Sequence, residues 1–510
     1  MSDAAPVRRL CVVLGDQLDA DSALFDGFDP ARDAILMTEA AEEATYVPQH
    51  RKRLVLFFAA MRHFAEAQRA EGRRVLYRRL DDGAPQTLAD SLRAAVDEHA
   101  PERVEVVLPG DWRVLEALKA AAPEIVIRED RHFLTTPEQW ADMRRDRRRF
   151  ILEDFYRAQR RRTGWLMEDG EPLGGEWNFD KANRRSFGRD GPGLVPRRPH
   201  SAPDDVTNDV IRMVEKRFPD APGSTQGFAE PVTRRQALVH LRAFVEDRLP
   251  LYGDYQDAIA QGQPTLWHAR ISAAMNLKLI SPREACEAAM EAHRAGRAPL
   301  NAVEGFVRQI LGWREFTRGV YWTLMPDYAG RNELGADADL PAFFWTGETE
   351  MACLRDSVGQ VLREGYAHHI QRLMVMGLFL MLWGARPKAA HDWHMGMYLD
   401  AVDWVSLPNM AGMSQHADGG VMGTKPYCAS GAYIDRMSDC CSGCRYDPKQ
   451  ATGEKACPFT TLYWDFLDRH ESRFRSNMRM KMQLSNLRRK SDADRRAIRK
   501  AAEGVRGRPG

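Results

Sequence analysis

The chain has 510 residues, with 73 Lys and Arg against 72 Asp and Glu, and a formal net charge of +1 at pH 7. This length allows large buried cores and predicts two or more domains, while the balanced charge gives no global field that would indicate a partner. Charge is concentrated locally instead: nine arginines lie between Arg144 and Arg162, and the tail from Arg473 onward is basic. Such runs are either solvated helix faces or phosphate-binding surfaces.

The apolar runs and the N-terminal sequence bear on location. No apolar run reaches membrane-spanning length, and MSDAAPVRRLCVVL lacks the apolar core and cleavage site of a secretory signal. We therefore expect a cytoplasmic protein with no membrane partner.

Residues 9 to 130 alternate short β-rich runs with helical runs. Helical periodicity covers residues 53–69 and 87–98. The predicted strands are Leu10–Leu14, Ala34–Met37, Val75–Tyr77, Val104–Leu108 and Ile125–Ile127. This alternation predicts a Rossmann-like α/β domain over residues 1–134, with a parallel sheet covered by helices.

Polar residues follow the first two predicted strands. Ligands of parallel sheets bind beyond the carboxyl ends of the strands, where Asp16 and Gln17 follow the first strand and Glu39 follows the second. These three side chains could hold a small heteroaromatic molecule. The alternative is that Gly15-Asp16 is only a turn and a helix cap. No GxGxxG motif occurs here, so an ordinary dinucleotide fingerprint is absent.

The rest of the chain divides into two further regions. Pro and Gly accumulate in GEPLGGEWNFDKANRRSFGRDGPGLVPRRP, so residues 135–225 are predicted as a long, arginine-rich interdomain linker with one arginine-rich helix inside it. Aromatic residues interleave there with basic ones such as Arg184, which is typical of a packed crossing loop. Residues 226–510 have helical patterns almost throughout, which predicts an all-α domain with a basic tail.

Two helical segments contain candidate functional residues. In GFVRQILGWREF (305–316) the apolar residues form a buried stripe, and the charged residues either line a polar cavity or form a solvated face. His368 and His369 are adjacent, so on a helix they point about 100 degrees apart. A buried histidine is more often structural than catalytic, although its ordinary pKa suits proton transfer.

Five of the eight cysteines lie between residues 428 and 457. Cys441, Cys444 and Cys457 form a C-x2-C-x12-C series followed by proline, and three thiolates in this arrangement require a fourth. The candidates for the fourth ligand are Cys353, Cys428 and Cys440. A closed four-thiolate site holds zinc or an iron-sulfur cluster, and clustered thiols in a chain without a signal peptide argue against disulfides.

Three separated segments, LWHARISAAMNLKLISPREA (266–285), GFVRQILGWREF (305–316) and YLDAVDWVSLPNMAGMSQHADGG (398–420), together resemble the flavin-binding helical domain of the photolyase and cryptochrome family. The N-terminal LGDQL, the GGEWNFDKANRRSF segment and the cysteine set narrow the resemblance to the bacterial iron-sulfur branch of (6-4) photolyases and cryptochromes. The resemblance covers essentially the whole chain.

The resemblance implies three cofactors. The residues that would hold the adenine and phosphate side of FAD are His268, Arg270, Ser272 and Asn276. Those beside its isoalloxazine ring would be Asp400, Asp403 and Asn409. The ligands of a [4Fe-4S] cluster would be Cys353, Cys441, Cys444 and Cys457, with Cys428 and Cys440 as non-ligands. A 6,7-dimethyl-8-ribityllumazine antenna would occupy the pocket at Asp16, Gln17 and Glu39.

The resemblance also implies an activity, the light-driven repair of (6-4) pyrimidine-pyrimidone photoproducts by a monomer that binds damaged DNA. Excited reduced FAD would supply an electron, and His368 or His369 a proton. The residues of the lesion pocket and DNA surface would be Gln309, Trp313, Met413, Tyr427, Tyr433 and Arg184. An extra Gly312 precedes Trp313 relative to the family pattern. Trp393, with Trp345 as an outer member, would relay electrons to the flavin.

Two other readings of the same features remain open. A cryptochrome-type blue-light receptor would use the same flavin to signal through a partner. A zinc-stapled nucleic-acid-binding protein would need no photochemistry.

Overall fold

The structure is a computed structural model that describes residues 7–83, 85–145, 151–188 and 191–507. Its five-stranded sheet is parallel throughout, in the order β3-β2-β1-β4-β5. The strands are β1 (Arg9–Val12), β2 (Ala34–Thr38), β3 (Val75–Arg78), β4 (Arg103–Val107) and β5 (Val126–Arg128). Each predicted strand is confirmed to within two residues at either end, and the fold class is confirmed.

Helices cover both faces of this sheet, as the alternation of side chains along a strand requires. The helices are α1 (Ala41–Thr45), α2 (Arg51–Ala70), α3 (Leu88–His99) and α4 (Trp112–Ala121). Cys11 and Ile35 on one face share a core with α2, whereas Leu10 and Leu36 on the other face share a core with α3 and α4. The sheet is therefore buried between two helical layers.

The segment predicted as a linker contains regular structure. Its elements are α5 (Pro137–Arg144), α6 (Leu152–Thr163), the hairpin strands β6 (Met167–Glu168) and β7 (Glu171–Pro172), and α7 (Asp205–Arg217). Val210, Met213 and Val214 of α7 are buried at helical spacing in the core that contains α2. The helix is missed from sequence because Pro- and Gly-rich stretches on its N-terminal side dominate the local composition. Residues 146–150 of the arginine run lie outside the described residues.

The remainder is helical, as predicted, and each described helix is too short or too polar to span a membrane. The helices are α8 (Arg234–Asp247), α9 (Leu249–Tyr255), α10 (Ser272–Asn276), α11 (Pro282–Arg294), α12 (Leu300–Val307), α13 (Glu315–Leu324), α14 (Phe343–Thr346), α15 (Ala352–Glu364), α16 (Leu378–Trp383), α17 (Pro387–Met397), α18 (Asp403–Leu407), α19 (Gly431–Met437), α20 (Pro458–Arg469), α21 (Glu471–Phe474), α22 (Lys481–Arg488) and α23 (Asp492–Arg506).

Three segments of this domain are π-helical: Arg308–Arg314 between α12 and α13, Gln371–Gly377 before α16, and Pro408–Ser414 after α18. A π turn holds one more residue than an α turn and often occurs at functional sites. Gly312 lies in the first π segment, so the extra residue seen in the sequence is absorbed by the wider turn. A side chain there would also crowd Tyr156, whose ring carbon lies 3.3 Å from the position of an added Cβ.

The loop before α2 contacts the helical domain closely. The His50 amide donates to the Gly396 carbonyl at 3.0 Å. Because His50 Nδ1 accepts from the Lys52 amide, its Nε2 carries the proton that is donated to the Leu362 carbonyl at 2.9 Å. Burial lowers the pKa of His50 to about 4, which keeps the ring in this neutral form. At Gly396 an added Cβ would lie 2.0 Å from the Pro48 carbonyl oxygen.

Replacing Gly396 with alanine tests this contact. Alanine normally stabilises a helix interior by up to about 1 kcal/mol over glycine, but here the backbone of Pro48 must move, at a cost of about 1–3 kcal/mol. Gly504→Ala in α23 is the matched control, because nothing lies within 4 Å of its added Cβ. We expect thermal unfolding at lower temperature for Gly396→Ala and at equal or higher temperature for Gly504→Ala. If the two variants unfold at the same temperature, the contact between Gly396 and Pro48 is not made.

Candidate functional site

Three histidines meet in the helical domain. The rings of His268 and His368 stack with centroids 4.4 Å apart at an angle of 13°, and the His369 ring stands edge-on to His268 at 5.4 Å. Burial lowers the pKa of both His268 and His368 well below the usual value, so both are neutral at pH 7. Nε2 of His268 and both ring nitrogens of His368 are buried without a hydrogen-bond partner in the described chain. Such atoms are costly to bury alone, which indicates a ligand at this position.

His369 has a different environment from its neighbours. Its side chain is 48% exposed, and its Nε2 lies 3.4 Å from a carboxylate oxygen of Asp257. His369 is therefore the member of the cluster that a ligand can reach from the exposed side, whereas His368 is buried and held neutral.

A buried ion pair lies close to the histidines along the chain. Arg372 donates to both carboxylate oxygens of Asp400, at 2.9 and 3.1 Å. Ser272 Oγ donates to the same carboxylate at 2.6 Å, and Asn276 Nδ2 donates to the Asp400 carbonyl at 2.7 Å. Burial opposes ionisation, but the Arg372 charge and these bonds outweigh it and lower the pKa of Asp400. The Arg372 guanidinium also lies 3.9 Å from the centroid of the Tyr398 ring.

The structure thus brings together three of the residues expected at the flavin, Ser272, Asn276 and Asp400. Sequence reasoning missed Arg372. Its position, three residues after His369 in the sequence, was the available signal. Arg270 points elsewhere, to a second group of charges.

This second group has more positive than negative charge. Glu230 accepts from Arg270 at 2.8 Å and pairs with Arg198 at 3.0 Å. Arg248 is 1% exposed and has no carboxylate partner in the described chain; burial and the neighbouring Arg198 lower its pKa to about 10. Buried nitrogens of all three guanidinium groups lack hydrogen-bond partners. Guanidinium groups in this arrangement suit a phosphate or another compact anion.

Asp403 and Asn409 make no hydrogen bond to the Arg372–Asp400 pair. The Asp403 carboxylate is 2.9 Å from His391 Nε2 and accepts from the Tyr321 hydroxyl. Asn409 Nδ2 donates to the carbonyl of Val405 in its own helical turn at 2.8 Å. Asp403 faces a cavity at the sheet instead, because the buried carboxylate takes its hydrogen bonds from that side.

That cavity, of about 120 Å³, lies between the carboxyl edge of the sheet and the helical domain. Its polar lining includes Asp16, Glu43, Tyr46, Arg53, Asp111 and Asp403. Burial raises the pKa of Asp16, and burial together with the Asp403 charge raises that of Asp111 to about 7. The cavity therefore combines a mostly apolar lining with a few buried carboxyl groups that gain from a hydrogen-bonding ligand.

Two of the three residues expected to bind a ligand here do not line the cavity. Gln17 Nε2 donates to the Val107 carbonyl at 3.0 Å. Glu39 accepts two bonds from Arg62, at 2.6 and 3.0 Å, and one from the Tyr77 hydroxyl. A fully buried carboxylate needs such a cation, so Glu39 supports the wall of the pocket and Asp16 alone of the three reaches its interior.

The four cysteines expected as cluster ligands line one apolar cavity. Its walls are formed by Cys353, Cys441, Cys444 and Cys457 together with Cys440, Met351, Gly431, Ile434, Tyr446, Pro448 and Phe459. Cys440 is thus a fifth thiol at this site, while Cys428 is not among the lining residues. An added Cβ on Gly431 would lie 2.8 Å from Cys457 Sγ, so glycine there leaves room for the sulfur.

The expected lesion residues lie in two groups. Trp313 and Met413, each in a π segment, pack against the same apolar cluster. Tyr427 and Tyr433 pack against another. Burial and the Asp257 charge raise the pKa of Tyr433 to about 12, which places Tyr433 near the carboxylate that pairs with His369.

The remaining expected residues have simpler surroundings. Gln309 Nε2 donates to the Gly305 carbonyl at 3.1 Å, and Arg184 is exposed. Trp393 is buried and donates from Nε1 to the Phe344 carbonyl at 3.0 Å, next to Trp345, which is 40% exposed. The charged residues of the 305–316 segment are buried: Arg308 pairs with Asp180. Of the two alternatives for this segment, the solvated face does not occur, because Arg308, Arg314 and Glu315 are buried.

Comparison with known proteins places this geometry in a class. A family model described as deoxyribodipyrimidine photo-lyase-related protein matches residues 11–229. The fold is similar to a bacterial class III photolyase from Agrobacterium tumefaciens, with a TM-score of 0.56 and 15% identity over 86% of this chain and 87% of that one. It is also similar to a cryptochrome from Synechocystis sp. PCC6803, with a TM-score of 0.52 and 12% identity over 86% of this chain and 89% of that one. The fold is that of photolyases and cryptochromes.

A curated relative, the (6-4) photolyase of Agrobacterium fabrum (strain C58), is 45% identical over 506 residues, which are 98% of this chain and 99% of the relative. The chain belongs to the (6-4) photolyase family. Membership implies a flavin cofactor.

Proposed function

We propose that this protein is a light-dependent lyase that repairs (6-4) pyrimidine-pyrimidone photoproducts in damaged DNA. The observation that carries the proposal is the pair of adjacent histidines near the Arg372–Asp400 ion pair: His368 is neutral and stacked, whereas His369 faces a carboxylate at the exposed rim. Repair of this lesion requires an electron and a proton at one place. The full-length relative supports the proposal, since its name states this activity.

The buried residues fit an FAD molecule. Arg198, Arg248 and Arg270 would hold its diphosphate, since their buried guanidinium groups have unpartnered nitrogens and outnumber the nearby carboxylates, Glu230 and Glu364. The Arg372–Asp400 pair would face the polar edge of the ring system. When bound in its reduced form, the flavin supplies an electron on absorbing blue light.

The protein's own contribution to the chemistry is placement of a proton. His369 would donate it from Nε2, which lies at the exposed rim of the site, 3.4 Å from a carboxylate oxygen of Asp257. The stacked His268 and His368 remain neutral and exclude water from the inner side of the site. The bridging hydroxyl of the lesion must be protonated before it returns to its original base, so His369 acts as the general acid.

The damaged dinucleotide must leave the duplex to reach this buried site. A lesion that stacks poorly lowers that cost of a few kcal/mol. Trp313 and Met413 from one apolar cluster, with Tyr427 and Tyr433 from the other, offer apolar and aromatic surfaces to the extruded bases. Exposed arginines such as Arg184 would contact the phosphates.

The cysteine cavity favours a [4Fe-4S] cluster over zinc. Tetrahedral zinc with bonds of about 2.3 Å draws sulfur atoms to about 3.8 Å apart. His268, His368 and His369 place three ligand atoms within 4.8 Å of one another. No other His, Cys, Asp or Glu residues among the described ones form such a trio. No three of the described cysteine sulfurs lie that close together, which suits a cluster larger than a single metal ion. We assign Cys353, Cys441, Cys444 and Cys457 as its ligands.

The cavity at the sheet edge suits a small polar heterocycle such as 6,7-dimethyl-8-ribityllumazine. Asp16 and Asp111, whose pKa values are raised by burial, offer carboxyl groups for hydrogen bonding. The Tyr46 ring and Arg53 lie in the same wall. The cavity borders the helical domain through Asp403, which suits transfer of excitation toward the flavin.

Electrons for flavin reduction would pass through Trp393. Its ring stands edge-on to Tyr398 at 5.8 Å, and Tyr398 lies under Arg372. On the other side it contacts Phe344 at 5.2 Å, which precedes the exposed Trp345. This order leads from the site to the surface.

The acid assignment predicts different effects for the two histidines. His369→Asn and Asp257→Asn should lower the yield of repaired (6-4) lesions per absorbed photon by at least about tenfold, with flavin retained, because the proton donor is removed or loses the carboxylate that positions its ring. The measurement is chromatographic quantification of repaired dinucleotide after illumination of photoreduced protein. His368→Asn is expected to weaken flavin or lesion binding as well as repair. Full repair by His369→Asn would contradict the assignment.

The diphosphate assignment predicts that Arg248→Gln weakens FAD binding by about ten- to a hundredfold, since a hydrogen bond to a charged group contributes about 1.5–3 kcal/mol. The measurement is fluorescence titration of flavin-free protein with FAD. Arg242→Gln is the matched control, because Arg242 is exposed and lies in α8, which ends directly before Arg248. Unchanged affinity in Arg248→Gln would place the diphosphate elsewhere.

The cluster assignment is tested by single serine substitutions. Cys353→Ser should lose iron and acid-labile sulfide, because a three-thiolate site holds the cluster poorly. Cys440→Ser and Cys428→Ser should retain four iron atoms per chain in colorimetric assays. If Cys440→Ser loses iron and Cys353→Ser retains it, Cys440 is the fourth ligand and Cys353 is not.

A further inference from the structure

A surface segment near the C-terminal end, residues 475–482, carries basic and apolar side chains side by side; we call it the basic-methionine segment. Arg475, Arg479 and Lys481 are exposed. Met478 and Met482 are 77% and 76% exposed. Among the large apolar side chains of the described residues, only Leu194 is more exposed. Large apolar groups exposed to this degree often mark a binding surface.

The positive charge of this segment is not compensated. Arg475, Arg479 and Lys481 have no carboxylate partner in the described chain. The flanking arginines differ, since Arg473 pairs with Glu333 and Arg488 with Glu471. Three adjacent cations therefore remain available to an anionic partner, in a protein whose net charge is only +1.

The segment is held rigidly from below. Phe474, Met480 and Leu484 are buried in the core of the helical domain. Asn477 accepts from the Arg479 amide through its side chain and donates to the Thr424 carbonyl at 3.1 Å. The exposed groups thus lose little backbone entropy on binding.

The basic-methionine segment borders the proposed lesion site. Thr424, which accepts from Asn477, lies three residues before Tyr427 in the same loop. Burial raises the pKa of Tyr427, and the charges that act on it belong to Arg479 and Asp180. Asp180 in turn pairs with Arg308, in the π segment that contains Trp313. Arg479 therefore stands at the same rim as the lesion residues.

We propose that the basic-methionine segment binds the duplex that flanks the lesion, with Arg475, Arg479 and Lys481 on the phosphates and Met478 and Met482 against the bases exposed when the damaged dinucleotide leaves the stack. Uncompensated cations match the phosphate backbone. Apolar side chains such as methionine act as wedges at disrupted base steps. This inference rests on the proposed function, because it takes damaged DNA as the ligand.

The charge component is tested with Arg475→Gln/Arg479→Gln in the full-length flavin-loaded protein. Fluorescence anisotropy with a duplex carrying one (6-4) lesion, and with its undamaged counterpart, gives affinity over a salt series. Two lost phosphate contacts should reduce the slope of log K against log salt by about 1.8 and weaken both duplexes alike. Arg496→Gln/Lys500→Gln, two exposed cations on α23, is the matched control and should leave the slope unchanged. Equal slopes for the two variants would overturn the assignment.

The wedge component is tested with Met478→Ser/Met482→Ser, which removes exposed groups and should not impair folding. We expect about tenfold weaker binding of the lesion duplex, little change for undamaged DNA, and an unchanged salt slope. If the variant keeps its full preference for the lesion duplex, Met478 and Met482 do not act as a wedge, and their partner is a protein instead. Wild-type protein separates this test from the wider proposal. If the wild type fails to bind or repair the lesion, the proposed function is wrong. If the wild type repairs the lesion normally and the variants behave as the wild type does, only this inference is wrong.

Discussion

The carboxylate of Asp400 is the point on which the central site depends. It is buried, so its charge must be neutralised locally. Arg372 from a π segment and Ser272 from α10 both donate hydrogen bonds to it. The α/β domain reaches the same stretch: the Arg53 guanidinium donates to the carbonyls of Tyr398 and Leu399 at 3.1 and 3.4 Å. One short stretch of chain is thus fixed by both domains.

The π segments explain how a helical domain can present so many polar groups inward. A regular α-helix places every third or fourth residue on the same face, and an added residue shifts the face that follows. Trp313, Arg372 and Met413 each lie within such a segment. The wider turns redirect the side chains that follow them without breaking the helices, which then continue with their apolar stripes in the core.

The alternation of strands and helices was readable in the sequence because it is a local pattern, and so was the cysteine series, whose spacing is short. Arg248 and Glu230 could not be found in this way. Each is one charged residue among many. Only the fold shows that Arg248 is buried with no carboxylate partner in the described chain and that Glu230 pairs with two arginines. Glu39 illustrates the opposite error: it follows a strand as a ligand residue should, but Arg62, 23 residues later, neutralises it as a wall residue.

The same reasoning gives the cysteine site a structural purpose that does not require electron transfer. Cys353 lies in the first turn of α15, and the residues after the C-terminal end of that helix lead directly to His368 and His369. Near that end the Leu362 and Arg363 carbonyls accept from His50 and Lys52 of the α/β domain. In the proposed function, a thiolate bond from Cys353 to the cluster would fix one end of the helix, while the interdomain hydrogen bonds fix the other. Because a proton donor must be placed within a few tenths of an ångström of its target, such a cluster would contribute to catalysis through position alone.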